Sequence, residues 1–575
     1  MGFWMSNAYY APPDFAVYFS YTHTLLSDRD LDFLNEYEHF GFEKHLFYVT
    51  GEGYISNDWP IGAGILWMPF FCLGSVVARL SGSPPDGFGI PYLSLVMVGI
   101  LFFVGSGLYA GFIFLEKRYR TKWAFLTVLL CFFGTSLLFY ACYGGWMSHA
   151  TGFCIVTLFF ILWAETISER KRIDWILLGF LAGLMTLTRP QHIASLIVFP
   201  IELFFRIKKS SFKTFPWKKE TMGWLLLFLA FLIAFLPQLV FWGKIYGHPF
   251  SFPKLEEMHW FSPRIRETLF SDYHGILPWT PLVLLGSMGL LFVWKREKVL
   301  AAGLFVALAL QIYINSANEV WWAGGSFGNR RITEYAFPVM VGLAGLFEEK
   351  RRRFWIIPAI LFSAWSFLLV VAERAGALTL ANYVPWNAQF FQTLIPIITA
   401  PWKWFGYVHG NFADLAGFYR MIAILFLGIL FLVAGLLFEQ RKIFVKRRMM
   451  IVSILFVFLA LSNVLVLVSA KRTSPLKQEL RENFYKENRF LWNNYYEYGF
   501  YLMQKRRYQE ALEVYLKAKN LLPERPQPYR YIGSIYESFG DFDKAEQYYR
   551  EALKLNPDYT RVKVLLEELQ YKMRN

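Results

Sequence analysis

Four stretches of this chain are polar, aromatic and glycine-rich where a membrane protein needs only short linkers, and they hold the groups that could do chemistry. The first runs Pro13-Asp14-Phe15-Ala16-Val17-Tyr18 and is followed by the alternating acids Asp28, Asp30 and Asp32. The second is Ser56-Asn57-Asp58-Trp59-Pro60-Ile61-Gly62. The third, 271–281, contains Asp272, His274 and two prolines that stiffen the entry into the next helix. The fourth is Trp321-Trp322-Ala323-Gly324-Gly325-Ser326-Phe327-Gly328-Asn329-Arg330-Arg331. A carboxylate such as Asp14 can take the proton of an attacking hydroxyl or amine. Guanidinium groups such as Arg330 and Arg331 are permanently charged, bind oxygens in pairs and suit a phosphate whose charge grows as it leaves. Trp322 beside them offers an aromatic surface to a sugar or a prenyl chain. Each has a plainer reading: a solvated loop acid, headgroup anchors at a helix end, and an interfacial aromatic belt.

Two more polar sites interrupt apolar sequence. Ser148-His149 opens one apolar segment, and Arg189-Pro190-Gln191-His192 breaks another. A charge at mid-bilayer is unfavourable by about 2.5–3.5 kcal/mol on insertion scales. Arg189 is therefore expected near a surface, at a helix end that Pro190 terminates, or kept for a purpose. His149 and His192 read as structural, since no His or Cys pair has zinc spacing. Asp28, Asp30 and Asp32 would share one face of an extended strand and could hold a divalent metal, although such runs are more often wet turns. Cys72, Cys131, Cys142 and Cys154 lie in apolar sequence and read as small buried hydrophobes.

The elements that must position these groups are membrane helices. Of the 575 residues, 55% are hydrophobic and 20% aromatic. Segments at 90–115, 122–143, 222–246, 276–294, 354–372, 416–438 and 449–470 carry almost no interior charge. About 20 helical residues cross a ~30 Å hydrocarbon core. Shorter pieces at 149–167, 174–188, 192–205, 299–316 and 335–348 bring the expected total to roughly 12–13 crossings. The expected fold is therefore an all-α polytopic membrane protein.

The net charge of +15 does not point to nucleic acid. The cations cluster between apolar segments, at Lys117–Lys122, Arg170–Arg172, Arg206–Lys219, Lys295–Lys298, Lys350–Arg353 and Arg441–Arg448. That alternation is the positive-inside pattern, and it also brings the chain against anionic lipid. It predicts that the loops 144–148, 247–275, 317–334 and 373–415, and everything after residue 470, lie outside the cytoplasm of a multi-pass inner-membrane protein. The amino end is harder to place. Residues 1–10 make no signal peptide, and an outside position for residues 1–59 calls for a further transmembrane helix upstream. The expected domains are an outer loop with an interfacial helix (1–89), a membrane domain (90–470), a linker (471–491) and a carboxy-terminal module (492–575).

Together the four polar stretches, in this order, resemble the membrane glycosyltransferases of the C-type fold, the group that includes protein mannosyltransferases and lipid A aminoarabinose transferases. The resemblance covers roughly residues 8 to 440. It implies a sugar donor linked to polyprenyl phosphate and a catalytic Asp in the first outer loop, at the position of Asp14. Many relatives carry a second acid directly after it, where this chain has Phe15. The resemblance further implies substrate or phosphate contacts at Arg330, Arg331, Arg189, Tyr18 and Trp322, with Asp58, Asp272 and His149 as additional candidates. It implies no firm cofactor.

The last eighty or so residues are of another kind. Gly499, Ala511, Ala518 and Pro523 recur 34 positions on as Gly533, Ala545, Ala552 and Pro557, with Tyr508 and Tyr515 in phase with Phe542 and Tyr549. This resembles the tetratricopeptide repeat, in which small residues let two helices of a hairpin approach closely. Repeats are expected at 492–525 and 526–559. A capping helix is expected over 560–575, with Val562, Leu565, Leu566, Leu569 and Met573 on one side. Such a module docks a partner protein or acts as a spacer. The rival readings for the whole chain are a glycan polymerase or O-antigen ligase and a non-enzymatic scaffold. Against the first, the loop 373–415 is short; against the second, a scaffold needs none of the four polar stretches.

Overall fold

The computed structural model describes residues 13–40, 47–142, 147–251, 258–374 and 506–574, less a few single positions, with isolated residues between 378 and 503. The expected crossings at 416–438 and 449–470, the loop 373–415, the cluster Arg441–Arg448, the linker and most of the first repeat's first helix lie outside these. The fold is all-helical. Among the described residues only isolated bridges, Val49 with Ile55 and Met258 with Asn318, have extended pairing. The chain divides into two compact units. One draws on Met1–Ser27, Trp59–Gln238 and Lys254–Leu465, the other on Asp28–Asp58, Leu239–Pro253 and Val466–Asn575.

The first unit begins with α1 (Pro13–His23), and α2 (Leu34–His39) belongs to the second. The membrane-like helices follow: α3 (Gly62–Leu80), α4 (Ile90–Glu116), α5 (Thr121–Gly134), the short α6 (Leu137–Cys142), α7 (Ser148–Thr166) and α8 (Arg172–Thr188). Next come α9 (Val198–Ser210), α10 (Trp217–Ile245), two short helices α11 (Ile265–Phe270) and α12 (Ile276–Trp279), α13 (Leu282–Val293), α14 (Lys298–Ala317), α15 (Ala336–Glu348) and α16 (Ile356–Arg374). Among the described residues, six helices are long and apolar enough to cross a membrane: Gly62–Leu80, Ile90–Glu116, Ser148–Thr166, Trp217–Ile245, Lys298–Ala317 and Arg352–Glu373. Thr121–Gly134 and Leu282–Val293 are shorter and apolar.

Two expected crossings are built differently from a plain helix. The 192–205 piece starts as a 3-10 turn, Pro190–Ile197, because Pro190 cannot continue α8 and Arg189 turns extended. The 335–348 piece is likewise entered through a 3-10 turn, Arg330–Tyr335. These irregular entries present side chains at a helix mouth instead of along a lipid-facing flank.

The basic clusters meet at one end of this unit. Arg118 pairs with Glu165 at 2.7 Å and with Glu297 at 3.4 Å, tying together the turns after α4, α7 and α13. The Arg120 amide donates to Glu348 at the end of α15. Arg170 pairs with Glu202 on α9, and Arg206 bonds Glu220 at the start of α10. The opposite end gathers Cys142, Met147 and Ser148 with the turns 188–190, 279–282 and 317–330. There Ser136 bonds Thr333 at 2.7 Å, Tyr140 accepts from the Phe327 amide at 2.9 Å, and Ser366 on α16 donates to the Trp279 carbonyl at 3.0 Å.

Between the ends, α13 and α15 approach until their backbones touch. A Cβ on Gly342 would fall inside the carbonyl of Gly286, and one on Gly289 inside that of Gly342. With no hydrophobic drive between helices in lipid, such small-residue contacts supply the packing.

The second unit contains the repeat helices α17 (Tyr508–Leu521), α18 (Pro526–Ser538), α19 (Phe542–Leu555) and α20 (Thr560–Arg574). The 34-residue period has a direct geometric meaning. A Cβ at Gly499 would meet the Tyr515 ring, and one at Gly533 would meet the Tyr549 ring at 2.6 Å. Ala511, Ala518, Ala545 and Ala552 are all fully buried. The expected cap forms, with Val562 and Leu569 buried and Leu565 and Leu566 partly so. Met573 departs from the expectation: it is exposed, because the last turn of α20 has no further helix to cover it.

Candidate functional site

Asp14 and Arg330, separated by more than three hundred positions, meet at the end of the first unit opposite the basic clusters. Arg330 Nη1 donates to Asp14 Oδ2 at 2.6 Å, a charge-assisted bond between two partly exposed side chains. The other carboxylate oxygen, Oδ1, accepts from Trp59 Nε1 at 2.9 Å. Asp14 sits in the first turn of α1, and Arg330 opens the 3-10 turn before α15. The glycines upstream make the approach feasible. Gly324 has φ +73°, and a Cβ there would stand 3.8 Å from Arg330 Nη2. Gly328 has φ +56° and packs against Trp279. Arg330 Nη1 also lies 3.2 Å from Met147 Sδ, while its Nε has no hydrogen-bond partner among the described residues. Burial disfavours the charge on Arg330, yet Asp14 outweighs it and holds the guanidinium above its ordinary pKa.

Beside this pair lies a buried charge network that the residue pattern did not announce. Glu334, one turn after Arg330, is fully buried. Its Oε1 lies 2.9 Å from His149 Nδ1, 3.5 Å from His192 Nε2 and 3.7 Å from Arg189 Nε. Arg189 Nη1 lies 3.0 Å from His149 Nε2. Arginine has only donors, so His149 Nε2 accepts and its proton sits on Nδ1, directed at Glu334. The unit Arg189–His149–Glu334 is thus charge-balanced with a neutral imidazole in the middle. Gly152 makes room for it, since a Cβ there would stand 3.2 Å from Glu334 Cγ. Glu334 Oε2 and His192 Nδ1 have no hydrogen-bond partner among the described residues.

Tyr18 links the two clusters. Its hydroxyl accepts from Ser148 Oγ at 3.1 Å, next to His149. Burial raises its pKa, and Arg189, Asp14 and Arg330 all act on it electrostatically. Of the residues implied by the resemblance to C-type-fold enzymes, Arg330 contacts Asp14, and Tyr18 stands within electrostatic reach of Asp14, Arg330 and Arg189.

The remaining candidates go elsewhere. Arg331 is not brought to Asp14. It donates to Asn315 Oδ1 on α14 at 3.2 Å, because successive side chains on a 3-10 turn point about 120° apart. Trp322 packs edge-on against Trp321 and beside Tyr273. Asp272 contributes its carbonyl, which accepts from Trp279 Nε1 at 2.9 Å. Asp58 belongs to the second unit, where it accepts from Tyr246 at 2.9 Å and Tyr48 at 3.2 Å. The acids at 28–32 serve as turn acceptors in that same unit. Asp30 accepts from the Asp32 amide, Asp32 from the Leu34 amide, and Asp28 from Asn35.

Sequence reasoning missed Glu334, Trp59 and Tyr140. Charge pairing was the available signal for Glu334: Arg189 and two histidines in apolar sequence call for a buried anion, and Glu334 is the acid at the mouth of α15.

In the second unit the repeat geometry is complete enough to place. Tyr515 stacks on Tyr531 with centroids 4.9 Å apart, and Asp541 caps α19 by accepting from the Lys544 amide at 3.2 Å. Residues 526–559 match the tetratricopeptide repeat family. No curated protein matches the chain. The protein thus joins a multi-helix membrane-like part to a tetratricopeptide module, a type of domain that suggests protein–protein interaction.

Proposed function

We propose that this chain is an integral membrane glycosyltransferase that moves a sugar from a polyprenyl-phosphate donor to an acceptor outside the cytoplasm. The observation that carries the reading is the Asp14–Arg330 pair at the helix mouth opposite the basic clusters. By the positive-inside rule that mouth faces away from the cytoplasm.

The pair has the right parts for inversion at the sugar carbon. In the resting state Arg330 engages Asp14 and lowers its basicity. A donor phosphate competes for the guanidinium, and Asp14 is released to act as base. The acceptor oxygen attacks the anomeric carbon, its proton passes to a carboxylate oxygen of Asp14, and the bond from that carbon to the phosphate oxygen breaks. The phosphate leaves with the electron pair, and Arg330 balances the added charge. Arg189, held in place through His149 and Glu334, stands as the second cation for the lipid phosphate. The tetratricopeptide module docks a protein partner of the same envelope process.

The test supplies membranes containing the chain with a panel of labelled polyprenyl-phosphate sugars. Transfer of label to lipid-linked or protein acceptors is expected from the wild type and is expected to vanish in Asp14→Asn. Undiminished transfer by Asp14→Asn would remove the base from its role.

A further inference from the structure

The basic end of the first unit carries a second site that the transfer reaction does not use. A cavity of about 830 Å³ lies between the start of α8 and the start of α10. Arg170, Arg172, Lys218 and Lys219 line it, with Trp175 and Trp217 as aromatic walls.

The cations there fall into two groups. Arg170 is buried, and its Nη2 bonds Glu202 at 2.9 Å while its plane lies over the Trp175 ring at 4.5 Å. Its Nη1 has no hydrogen-bond partner among the described residues. Arg172, Lys218 and Lys219 are exposed and make no ion pair among the described residues. This contrasts with Arg118 and Arg206 at the same end, which are satisfied by Glu165 and Glu220. A buried guanidinium nitrogen with no hydrogen-bond partner among the described residues, in a cavity that three exposed cations also line, suits an anion with several oxygens.

The surroundings choose the source of that anion. Met222 lines the cavity and is half exposed. From it an exposed apolar stripe continues along α10 through Leu225, Leu229, Ile233 and Leu236. The helical spacing keeps these on one face, and a free phosphate has no use for such a stripe. We propose that this cavity is a binding site for the headgroup of an anionic phospholipid, with the acyl chains lying along the outer face of α10. The lipid would fix the turn between α9 and α10 and so hold the basic end at its leaflet. The inference does not depend on the transferase reading, since the two sites lie at opposite ends of the helices.

Native mass spectrometry of the full chain from mixed phosphatidylglycerol and phosphatidylcholine nanodiscs tests it. The expected result is retained phosphatidylglycerol, lost in a triple Arg172→Gln, Lys218→Gln, Lys219→Gln variant. Each cation near a lipid surface contributes roughly fivefold, so a loss of at least about tenfold is expected. A charge-matched variant, Lys122→Gln with Lys295→Gln and Lys298→Gln, is expected to retain the lipid. Brominated phosphatidylglycerol should quench fluorescence that Trp217→Phe removes. Equal retention of the two lipids, equal loss in both triple variants, or displacement by millimolar inorganic phosphate would overturn the proposal.

Discussion

The two ends of the first unit use charge in opposite ways. At the basic end, pairs such as Arg118 with Glu165 are about one-fifth exposed, and Lys117 remains half in the open. Some cations there, Arg172 among them, have no acid at all. At the other end, Glu334 and His149 are sealed from solvent, and Glu334 has His149, His192 and Arg189 around it. An exposed ion pair is worth little, about 0–1 kcal/mol, whereas removing one partner of a buried pair is unfavourable by about 3–5 kcal/mol. A fold keeps buried charges at that risk when the groups must be held for a purpose. The basic end therefore reads as an orientation device built around one buried pair, Arg170 with Glu202, and the buried network around Glu334 at the other end marks the candidate site.

The first prediction sharpens that contrast through topology, where the outcome is all or none. In a chain whose four cysteines are replaced, Gly325→Cys sits in an exposed, open position near Arg330, and Lys171→Cys sits in a basic turn. An impermeant thiol reagent on intact cells is expected to label residue 325 and to reach 171 only after permeabilisation. The reverse pattern would turn the molecule over and end the extracytoplasmic reading.

The next prediction compares two acids. Glu334→Gln leaves Arg189 without its counter-charge in a buried site and is expected to destabilise by about 3–5 kcal/mol. Glu165→Gln at the basic end should cost about 1 kcal/mol or less. Thermal unfolding in detergent reads both. Similar shifts would erase the distinction between the ends.

The smallest effect concerns His274, buried against Trp279 in the third polar stretch. Burial pushes its imidazole down to about 4 from an ordinary 6.5. The unfolded chain therefore takes up this proton first. The stabilisation is fully present above the unfolded value and is lost as pH falls from about 6.5 toward 4. His274→Phe should flatten that part of the stability profile, and an unchanged slope would show that other groups set it.

Much of this was legible beforehand for physical reasons. The apolar runs and basic clusters fix helices and their ends because lipid leaves the backbone no alternative. The 34-residue period was readable because Gly533 faces Tyr549 as Gly499 faces Tyr515, so the repeat is a repeated contact. The meeting of Asp14 with Arg330 was expected only from the resemblance of the four polar stretches, in their order, to C-type-fold enzymes. Arg331 donates to Asn315 while Arg330 meets Asp14, because adjacency in sequence says nothing about direction on a 3-10 turn. Glu334 escaped because a single acid at the edge of an apolar segment resembles a helix end until its three partners are brought together. The acids at 28–32 read more readily as a wet turn than as a metal site, and one oxygen of each accepts locally, from the Asp32 and Leu34 amides and from Asn35.

The central claim is that Asp14 and Arg330 act as one unit on a lipid-linked donor, and a double-mutant cycle on transfer tests it most directly. Asp14→Asn and Arg330→Gln are each expected to reduce kcat/KM by about 100-fold or more, and the double variant to fall little below the worse single one. Undiminished transfer in Asp14→Asn, or losses that simply multiply in the double variant, would contradict the account.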